Sequence, residues 1–250
     1  MKVLVTLKRT PHRDARMRLG PDGELRTGDE LKYEVNPFDE LAVEQALVLQ
    51  ETRQAETVVV TVGGEECRQQ LVTALAMGID RAVRVDVSDD LDSLQVARCL
   101  AAVIRREVPD LVLSGKLAVD DENGQVPSMV AGLLGWPIAT QASSMEFAAG
   151  GALRVHCEVD SGIDEVELEL PAVVTTDLRL NEPRYASLPG IMKAKKKPVD
   201  VLSLADVGLE GMGSGRTRVL EYRALPVREK GVIVDSPEAL VQALVARKLI

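Results

Sequence analysis

Apolar and polar residues alternate along the first half of the chain in blocks that predict strands and helices in turn. Short apolar runs rich in β-branched residues predict four buried strands, at residues 2–7, 57–62, 81–87 and 110–114. Apolar residues near helical spacing predict a helix after each strand, at residues 38–51, 66–77, 94–106 and 126–134. This order predicts an α/β fold with a mostly parallel, Rossmann-like sheet that is covered by helices on both faces.

The pattern changes after Pro137 to one that favours antiparallel pairing. Segments of alternating apolar and polar residues, separated by turn-forming residues, predict an antiparallel hairpin region at residues 138–147, 153–159 and 166–170. A further buried strand is predicted at residues 172–176, and a loop with proline and lysine at residues 180–198.

These patterns suggest two parts of unequal size. Residues 1–200 are expected to form one nucleotide-binding α/β domain, which includes a partner recognition loop at residues 184–198. Residues 201–250 are expected to form an extended C-terminal arm, which ends in an amphipathic helix at residues 237–249.

Composition excludes several functional classes. The chain is 46% hydrophobic and 28% charged, which is ordinary for a globular protein, and its net charge of −9 argues against general nucleic-acid binding. No apolar run is long enough for membrane insertion. Three widely spaced cysteines give neither a disulfide framework nor a metal-binding pattern, so we expect a reduced, cytoplasmic protein without a metal.

A ligand site is expected at the carboxyl ends of the parallel strands, where open sheets of this kind bind their ligands. Three segments would meet there, at residues 6–9, 62–64 and 115–128. In the last, Gly115 allows close backbone approach and a helix start near residue 125 offers free N–H groups to a phosphate. Asp120 and Asp121 could accept hydrogen bonds from a ribose or an adenine amine. A solvated loop would show the same pattern, and neither a P-loop nor a dinucleotide fingerprint is present.

The start of the first helix allows two interpretations. Asn36 and Pro37 precede early carboxylates, which suits a helix N-terminus, and Asn36 could also contact a bound base or ribose. No catalytic triad or metal cluster is evident in the sequence. The chain thus shows a candidate binding site without catalytic machinery.

A basic run near residue 190 also allows two interpretations. Three apolar residues precede four lysines: Leu188, Ile191, Met192, Lys193, Lys195, Lys196 and Lys197. A solvated charge run is one interpretation. The other, which we favour in an otherwise acidic chain, is a docking loop with an apolar anchor and cations that attract an acidic partner.

Several of these motifs together resemble the β subunits of the electron transfer flavoprotein family. The resemblance rests on Asn36-Pro37-Phe38, on the loop at 115–127, and above all on Asp-Leu-Arg-Leu-Asn-Glu-Pro-Arg-Tyr at 177–185, followed by the apolar and lysine-rich segment at 188–197. It extends over essentially the whole chain.

The resemblance implies a role in electron transfer. Family β subunits pair with an α subunit that holds most of the FAD, and they bury AMP as a structural ligand. The heterodimer accepts electrons from acyl-CoA and related dehydrogenases and passes them to a quinone oxidoreductase, so the β subunit is an electron-carrier subunit and not an enzyme by itself. Two alternatives remain open: an electron-bifurcating flavoprotein with a second FAD in the β site, and a stand-alone nucleotide-binding regulatory protein.

The resemblance also implies particular residues. It places the AMP site at Thr6, Asn36, Pro37, Phe38, Asp39, Val62, Gly115, Lys116, Ala118, Asp120, Asn123, Gly124, Gln125 and Val126. It assigns dehydrogenase docking to the apolar and lysine residues at 188–197, with Leu188 as the anchor. It matches Glu158 to a carboxylate that pairs with an arginine of the mobile flavin domain.

Overall fold

The computed structural model describes residues 1–15, 17–23, 31–87, 91–217, 219–226, 228 and 230–250. It divides into two compact units, Met1–Arg16 with Thr27–Val219, and Met17–Arg26 with Leu220–Ile250. The larger unit contains the sheets and the smaller one contains the last helix.

The larger unit is an α/β structure in which strands and helices alternate. Its strands are β1 (Lys2–Thr6), β2 (Arg9–Pro11), β3 (Tyr33–Val35), β4 (Glu56–Val62), β5 (Arg81–Val85), β6 (Leu111–Gly115), β7 (Ile138–Phe147), β8 (Leu153–Val159), β9 (Gly162–Leu168), β10 (Ala172–Thr176) and β11 (Val199–Leu202). Its helices are α1 (Pro37–Arg53), α2 (Arg68–Met77), α3 (Ser93–Glu107), α4 (Val126–Leu134) and α5 (Leu188–Ala194).

Within the part of the chain that the structure describes, the main sheet has nine strands in the order β11-β5-β4-β1-β6-β10-β7-β8-β9. The first seven strands in this order run parallel, and β7, β8 and β9 pair antiparallel. A separate two-stranded antiparallel sheet joins β2 to β3. The prediction of a mostly parallel α/β sheet with an antiparallel hairpin region is confirmed.

Both faces of the parallel strands are buried, which explains why the strands are apolar throughout. Val3 and Val5 pack with residues of α1 and α2, whereas Leu4, between them, packs with residues of α3 and α4. Successive side chains of a strand point to opposite faces, so each strand contributes to two aliphatic cores. In β8, by contrast, only alternate residues are buried.

Three features differ from the sequence prediction. The predicted loop at 180–198 contains α5, whose Ser187 cap accepts a hydrogen bond from the N–H of Gly190 at 3.1 Å. A strand, β11, pairs with the edge strand β5, so the larger unit continues beyond residue 200 as far as Val219. Both α5 and β11 are short and lie beside the lysine run, so neither has an apolar periodicity long enough to predict it from the sequence.

The smaller unit contains α6 (Pro237–Ala246), in which no residue is buried. Large apolar side chains elsewhere in this unit are also exposed, among them Leu225 and Ile233. Within the described residues, no helix is long and apolar enough to cross a membrane.

Candidate functional site

A cavity opens at the carboxyl edge of the parallel strands. It has a volume of about 820 Å³ when the space open to solvent is included. Thr6 from β1, Val62 from β4 and Ser114 from β6 line it. The chain runs outward from β1 to β4 and β5 and then crosses to β6, so the cavity lies at the topological switch point.

One side of the cavity is suited to an anion. Gln125 precedes α4 and makes no side-chain cap, and Gly124 and Val126 also line the cavity. The first turn of α4 therefore presents N–H groups that no capping side chain occupies, together with the positive end of the helix dipole. Gly124 has φ +60°, and an added Cβ would lie 3.3 Å from the Lys116 carbonyl oxygen.

The start of α3 forms another wall and has a different character. Asp92 accepts a hydrogen bond from the N–H of Gln95 at 2.9 Å, and the Gln95 side chain accepts one from the N–H of Asp92 at 3.0 Å. This capping box satisfies the helix start internally. The α3 side lines the cavity mainly with apolar residues, together with one hydroxyl: Leu91, Ser93, Val96 and Leu100.

Asn36 holds the loop between β6 and α4 in place. Its side-chain Nδ2 donates to the Leu117 carbonyl at 2.8 Å, and its Oδ1 accepts from the N–H of Val119 at 3.2 Å. The residue is almost fully buried. Both bonds go to the protein backbone, so the amide fixes the shape of the loop that borders the cavity.

Asp39 joins the ends of two neighbouring strands. Its carboxylate accepts the N–H of Lys8, after β1, at 2.8 Å and the N–H of Gly115, at the end of β6, at 2.9 Å. Burial raises the pKa of Asp39 to about 7, although these hydrogen bonds oppose the rise.

The charged side chains around the cavity are paired with one another. Lys8 Nζ lies 2.8 Å from Asp120 and 3.0 Å from Asp121. Burial acts to lower the pKa of Lys8, but hydrogen bonds and attraction from the two aspartates raise it overall. Lys116 Nζ lies 2.7 Å from Asp177 and 5.2 Å from the centre of the Phe38 ring.

The segment after β10 is pinned along α1 before it reaches α5. Asn181 Nδ2 donates to the Leu41 carbonyl at 3.0 Å. The Arg184 guanidinium binds the buried carboxylate of Glu44 at 2.9 Å and that of Glu51 at 2.5 Å. These bonds fix the path of the segment, and with it the position from which α5 starts.

Helix α5 presents apolar side chains to solvent. Leu188 is 80% exposed and Met192 is 72% exposed. The opposite face packs closely on α2, since Ala194 is buried and a Cβ on Gly190 would lie 2.5 Å from the Ala76 carbonyl oxygen. The exposed apolar residues are therefore held on a fixed helix.

The family model for the electron transfer flavoprotein domain matches residues 28–207. A human electron transfer flavoprotein subunit beta is 44% identical over 249 residues, which cover 98% of this chain and 96% of the relative. The Bradyrhizobium diazoefficiens subunit beta is 44% identical over 245 residues, covering 98% and 97%. A rice relative named "Electron transfer flavoprotein subunit beta, mitochondrial" is 45% identical over 252 residues, covering 98% and 97%.

The chain belongs to the electron transfer flavoprotein family. It resembles the beta subunits of that family over nearly its whole length, and the family is one of electron carriers.

Most of the residues that the family resemblance assigned to the nucleotide line the cavity. They are Thr6, Asn36, Asp39, Val62, Gly115, Ala118, Asn123, Gly124, Gln125 and Val126. Four others lie beside it. Pro37 and Phe38 belong to the first turn of α1, while Lys116 binds Asp177 and Asp120 binds Lys8.

Sequence reasoning missed the wall formed by α3. The signal was available, because α3 follows β5 and so begins at the same carboxyl edge as the other segments. Applying the strand-end rule to β5 as well would have pointed to Ser93. Lys8 fell inside a predicted segment but was not assigned to the nucleotide, whereas Asp121, considered above as an acceptor for a ribose or an adenine amine, lines the cavity.

Two predicted partner contacts look different in the structure of this family member. Lys197 points inward: its Nζ donates to the carbonyls of Leu75 and Gly78 at 3.2 Å, at the end of α2. Burial lowers the pKa of Lys197. Glu158 has a partner in its own chain, since Arg179 donates to it at 2.9 Å. Lys193, Lys195 and Lys196 are exposed, as docking would require.

The described residues offer no cluster of three or more histidine, cysteine, aspartate or glutamate side chains that could hold a metal ion. All three cysteines are free and buried. Burial raises the pKa of the Cys99 thiol to about 11, which disfavours the reactive thiolate.

Proposed function

We propose that this protein is the β subunit of a heterodimeric electron transfer flavoprotein and that it binds AMP in the cavity at the carboxyl edge of its sheet. The α subunit holds most of the FAD. The complex accepts electrons from acyl-CoA and related dehydrogenases and delivers them to a quinone oxidoreductase. The β subunit performs no bond-changing chemistry of its own.

The observation that carries the AMP proposal is the uncapped start of α4 at the topological switch point. Its N–H groups and helix dipole suit a phosphate, and Gly124 leaves the backbone accessible. The apolar α3 wall suits the faces of a base. The donor set therefore fits a nucleoside monophosphate.

Exposed apolar side chains support the proposal that the protein binds two protein partners, a dehydrogenase and an α subunit. Leu188 and Met192 project from a helix that is fixed on α2, and exposed lysines follow them, which suits docking of an acidic dehydrogenase surface. The smaller unit exposes apolar residues and a helix without a buried side chain, which suits an extensive interface with an α subunit.

The experiment is to co-express the chain with its α partner, denature the purified complex, and identify the released nucleotides by chromatography and mass. We expect one FAD and one AMP per heterodimer. Two FAD without AMP would indicate the electron-bifurcating alternative. A chain that purifies alone and releases no flavin would support a stand-alone nucleotide-binding regulatory protein.

We also propose a cytoplasmic location, because buried free cysteines suit a reducing compartment. Two plant relatives, from rice and Arabidopsis thaliana, carry "mitochondrial" in their names. Fractionation of the source cells, followed by detection of the chain with an antibody, tests the location directly.

A further inference from the structure

One carboxylate completes the edge of the sheet next to the cavity. The β1–β6 ladder ends at the pair Val5 and Leu113. Beyond that point, the N–H groups of Lys8 and Gly115 both donate to Asp39, one to each carboxylate oxygen, at 2.8 and 2.9 Å. Asp39 thus bridges the segments after β1 and β6, and both segments line the cavity.

The Asp39 carboxylate and Gly115 are closely packed. A Cβ on Gly115 would lie 2.5 Å from Asp39 Oδ1 and 2.7 Å from Phe38 Cβ. Asp39 is only 5% exposed. The first turn of α1 is therefore pressed directly against the end of β6, and the separation of the two strand ends depends on the length of two hydrogen bonds.

The groups that hydrogen-bond to the Asp39 carboxylate are donors. They are the backbone N–H groups of Lys8 and Gly115 and the side-chain NH₂ group of Asn36, whose Oδ1 already accepts from the N–H of Val119. Lys8 Nζ pairs with two aspartates and Lys116 Nζ with Asp177, and the Lys8 charge also acts to lower the pKa of Asp39. An ionised carboxylate satisfies such donors, whereas a carboxylic acid brings a proton for which none of these groups is an acceptor.

We propose that Asp39 is a positioning residue of the nucleotide cavity, whose ionised carboxylate holds the ends of β1 and β6 at the separation that the bound nucleotide requires. The inference rests on the proposed AMP site and goes beyond it, since it assigns Asp39 an action through the backbone rather than through the ligand. It also makes AMP affinity dependent on the protonation of one buried group.

The direction of the pH dependence follows. Burial raises the pKa of Asp39 to about 7, so the group changes charge close to neutral pH. Below that pH the protonated form loses an acceptor for one of the two N–H groups, and AMP affinity falls by up to about tenfold per pH unit. The AMP phosphate titrates separately, near pH 6.

The test measures AMP binding to the AMP-depleted heterodimer by calorimetry between pH 6 and 8.5. We expect Asp39→Asn to weaken binding about tenfold or more at pH 8 and to abolish the change in affinity near pH 7, while the change near pH 6 remains. Gly115→Ala disturbs the same bridge by crowding. The Asp39→Asn/Gly115→Ala double variant should therefore bind AMP no more weakly than whichever single variant has the lower affinity.

Asp110→Asn is the matched control. Asp110 accepts the N–H of Lys2 at 2.7 Å, at the opposite end of β1, and lies outside the cavity. This variant should keep both the affinity and the pH profile of the wild type. If Asp39→Asn does not yield a folded heterodimer, the wild-type pH profile and Gly115→Ala decide the matter.

Two outcomes separate this inference from the proposed function. Wild-type protein that binds AMP with no change near pH 7, or an Asp39→Asn variant with wild-type affinity and profile, would overturn the positioning role alone. Wild-type protein that binds no AMP at any pH would overturn both the role and the proposed site.

Discussion

At the scale of single residues, the polar side chains around the cavity act mainly on the backbone. Asn36 and Asp39 bind backbone atoms of the loops after β1 and β6, and Thr176 donates to the Phe38 carbonyl at 2.8 Å. The sequence placed Asn36 and Asp39 near the site but left a helix cap and a ligand contact as alternative interpretations. Only the fold shows which backbone groups these side chains meet.

A stability measurement tests the buried state of Asp39 without any ligand. Its pKa rises from 3.8 to about 7 on folding, so the folded protein holds this proton more tightly than the unfolded chain does. Protonation of Asp39 therefore stabilises the folded state in full below pH 4. This contribution, on the order of 4 kcal/mol, is lost as the pH rises to about 7. We expect the free energy of unfolding of wild type minus that of Asp39→Asn to fall across this window. Parallel stability curves for the two proteins would contradict the assignment.

The lysines near residue 195 also differ in ways that a sequence run conceals. Lys197 donates to carbonyls at the end of α2, whereas Lys196 is exposed. The sequence of a lysine run does not distinguish exposed lysines from partly buried ones. The difference in exposure arises from the packing of α5 on α2.

A pair of variants separates these two lysines. Lys197→Met should lower the free energy of unfolding by about 1–3 kcal/mol, because buried carbonyls lose their donor. Lys196→Met should leave it within about 0.5 kcal/mol. Chemical denaturation of both proteins checks the result, and equal stabilities would show that Lys197 does not serve as a cap.

At the scale of elements, the sequence predicts helices and strands with strong periodicity correctly, and it misses short ones. Helix α4 was predicted at residues 126–134 and spans Val126–Leu134, and β10 was predicted at 172–176 and spans Ala172–Thr176. In contrast, α5 has only 7 residues and β11 only 4, and they form because α5 packs on α2 and β11 pairs with β5. Tertiary contacts stabilise such elements more than local preference does.

Helix α5 carries the sharpest prediction at this scale. Leu188→Ala removes an 80% exposed side chain and should leave the fold and the flavin content unchanged. We expect the rate constant kcat/KM for reduction by the dehydrogenase to fall about tenfold, as for loss of an apolar anchor in an interface. Val108→Ala, which truncates a 74% exposed side chain after α3, should have no such effect. Equal losses in both variants would remove the docking role from α5.

At the scale of the whole molecule, charge is unevenly distributed. The net charge is −9, yet Lys193, Lys195 and Lys196 lie exposed beside the apolar face of α5. Sequence composition excluded a general nucleic-acid role and could locate the basic run. It could not show that the run is anchored, because that depends on the Arg184 bonds to Glu44 and Glu51 along α1.

This distribution predicts how association responds to salt. An acidic partner would be repelled by the molecule as a whole and attracted only near α5, so its approach should be steered to that helix. The Lys193→Glu/Lys196→Glu variant should associate with the dehydrogenase at least tenfold more slowly at low ionic strength. The two rates should converge above about 0.5 M salt, where the Debye length falls below about 5 Å.

The control must change the total charge equally but elsewhere. Arg68→Glu/Arg106→Glu alters two exposed arginines outside the basic run, so both double variants carry the same net charge. Stopped-flow mixing over a series of salt concentrations measures the association rates. If both double variants slow association to the same extent, net charge governs the encounter and the lysines have no directing role. If only the lysine variant slows it, the attraction is local, and an acidic chain can bind an acidic partner because its few exposed cations flank the apolar anchor.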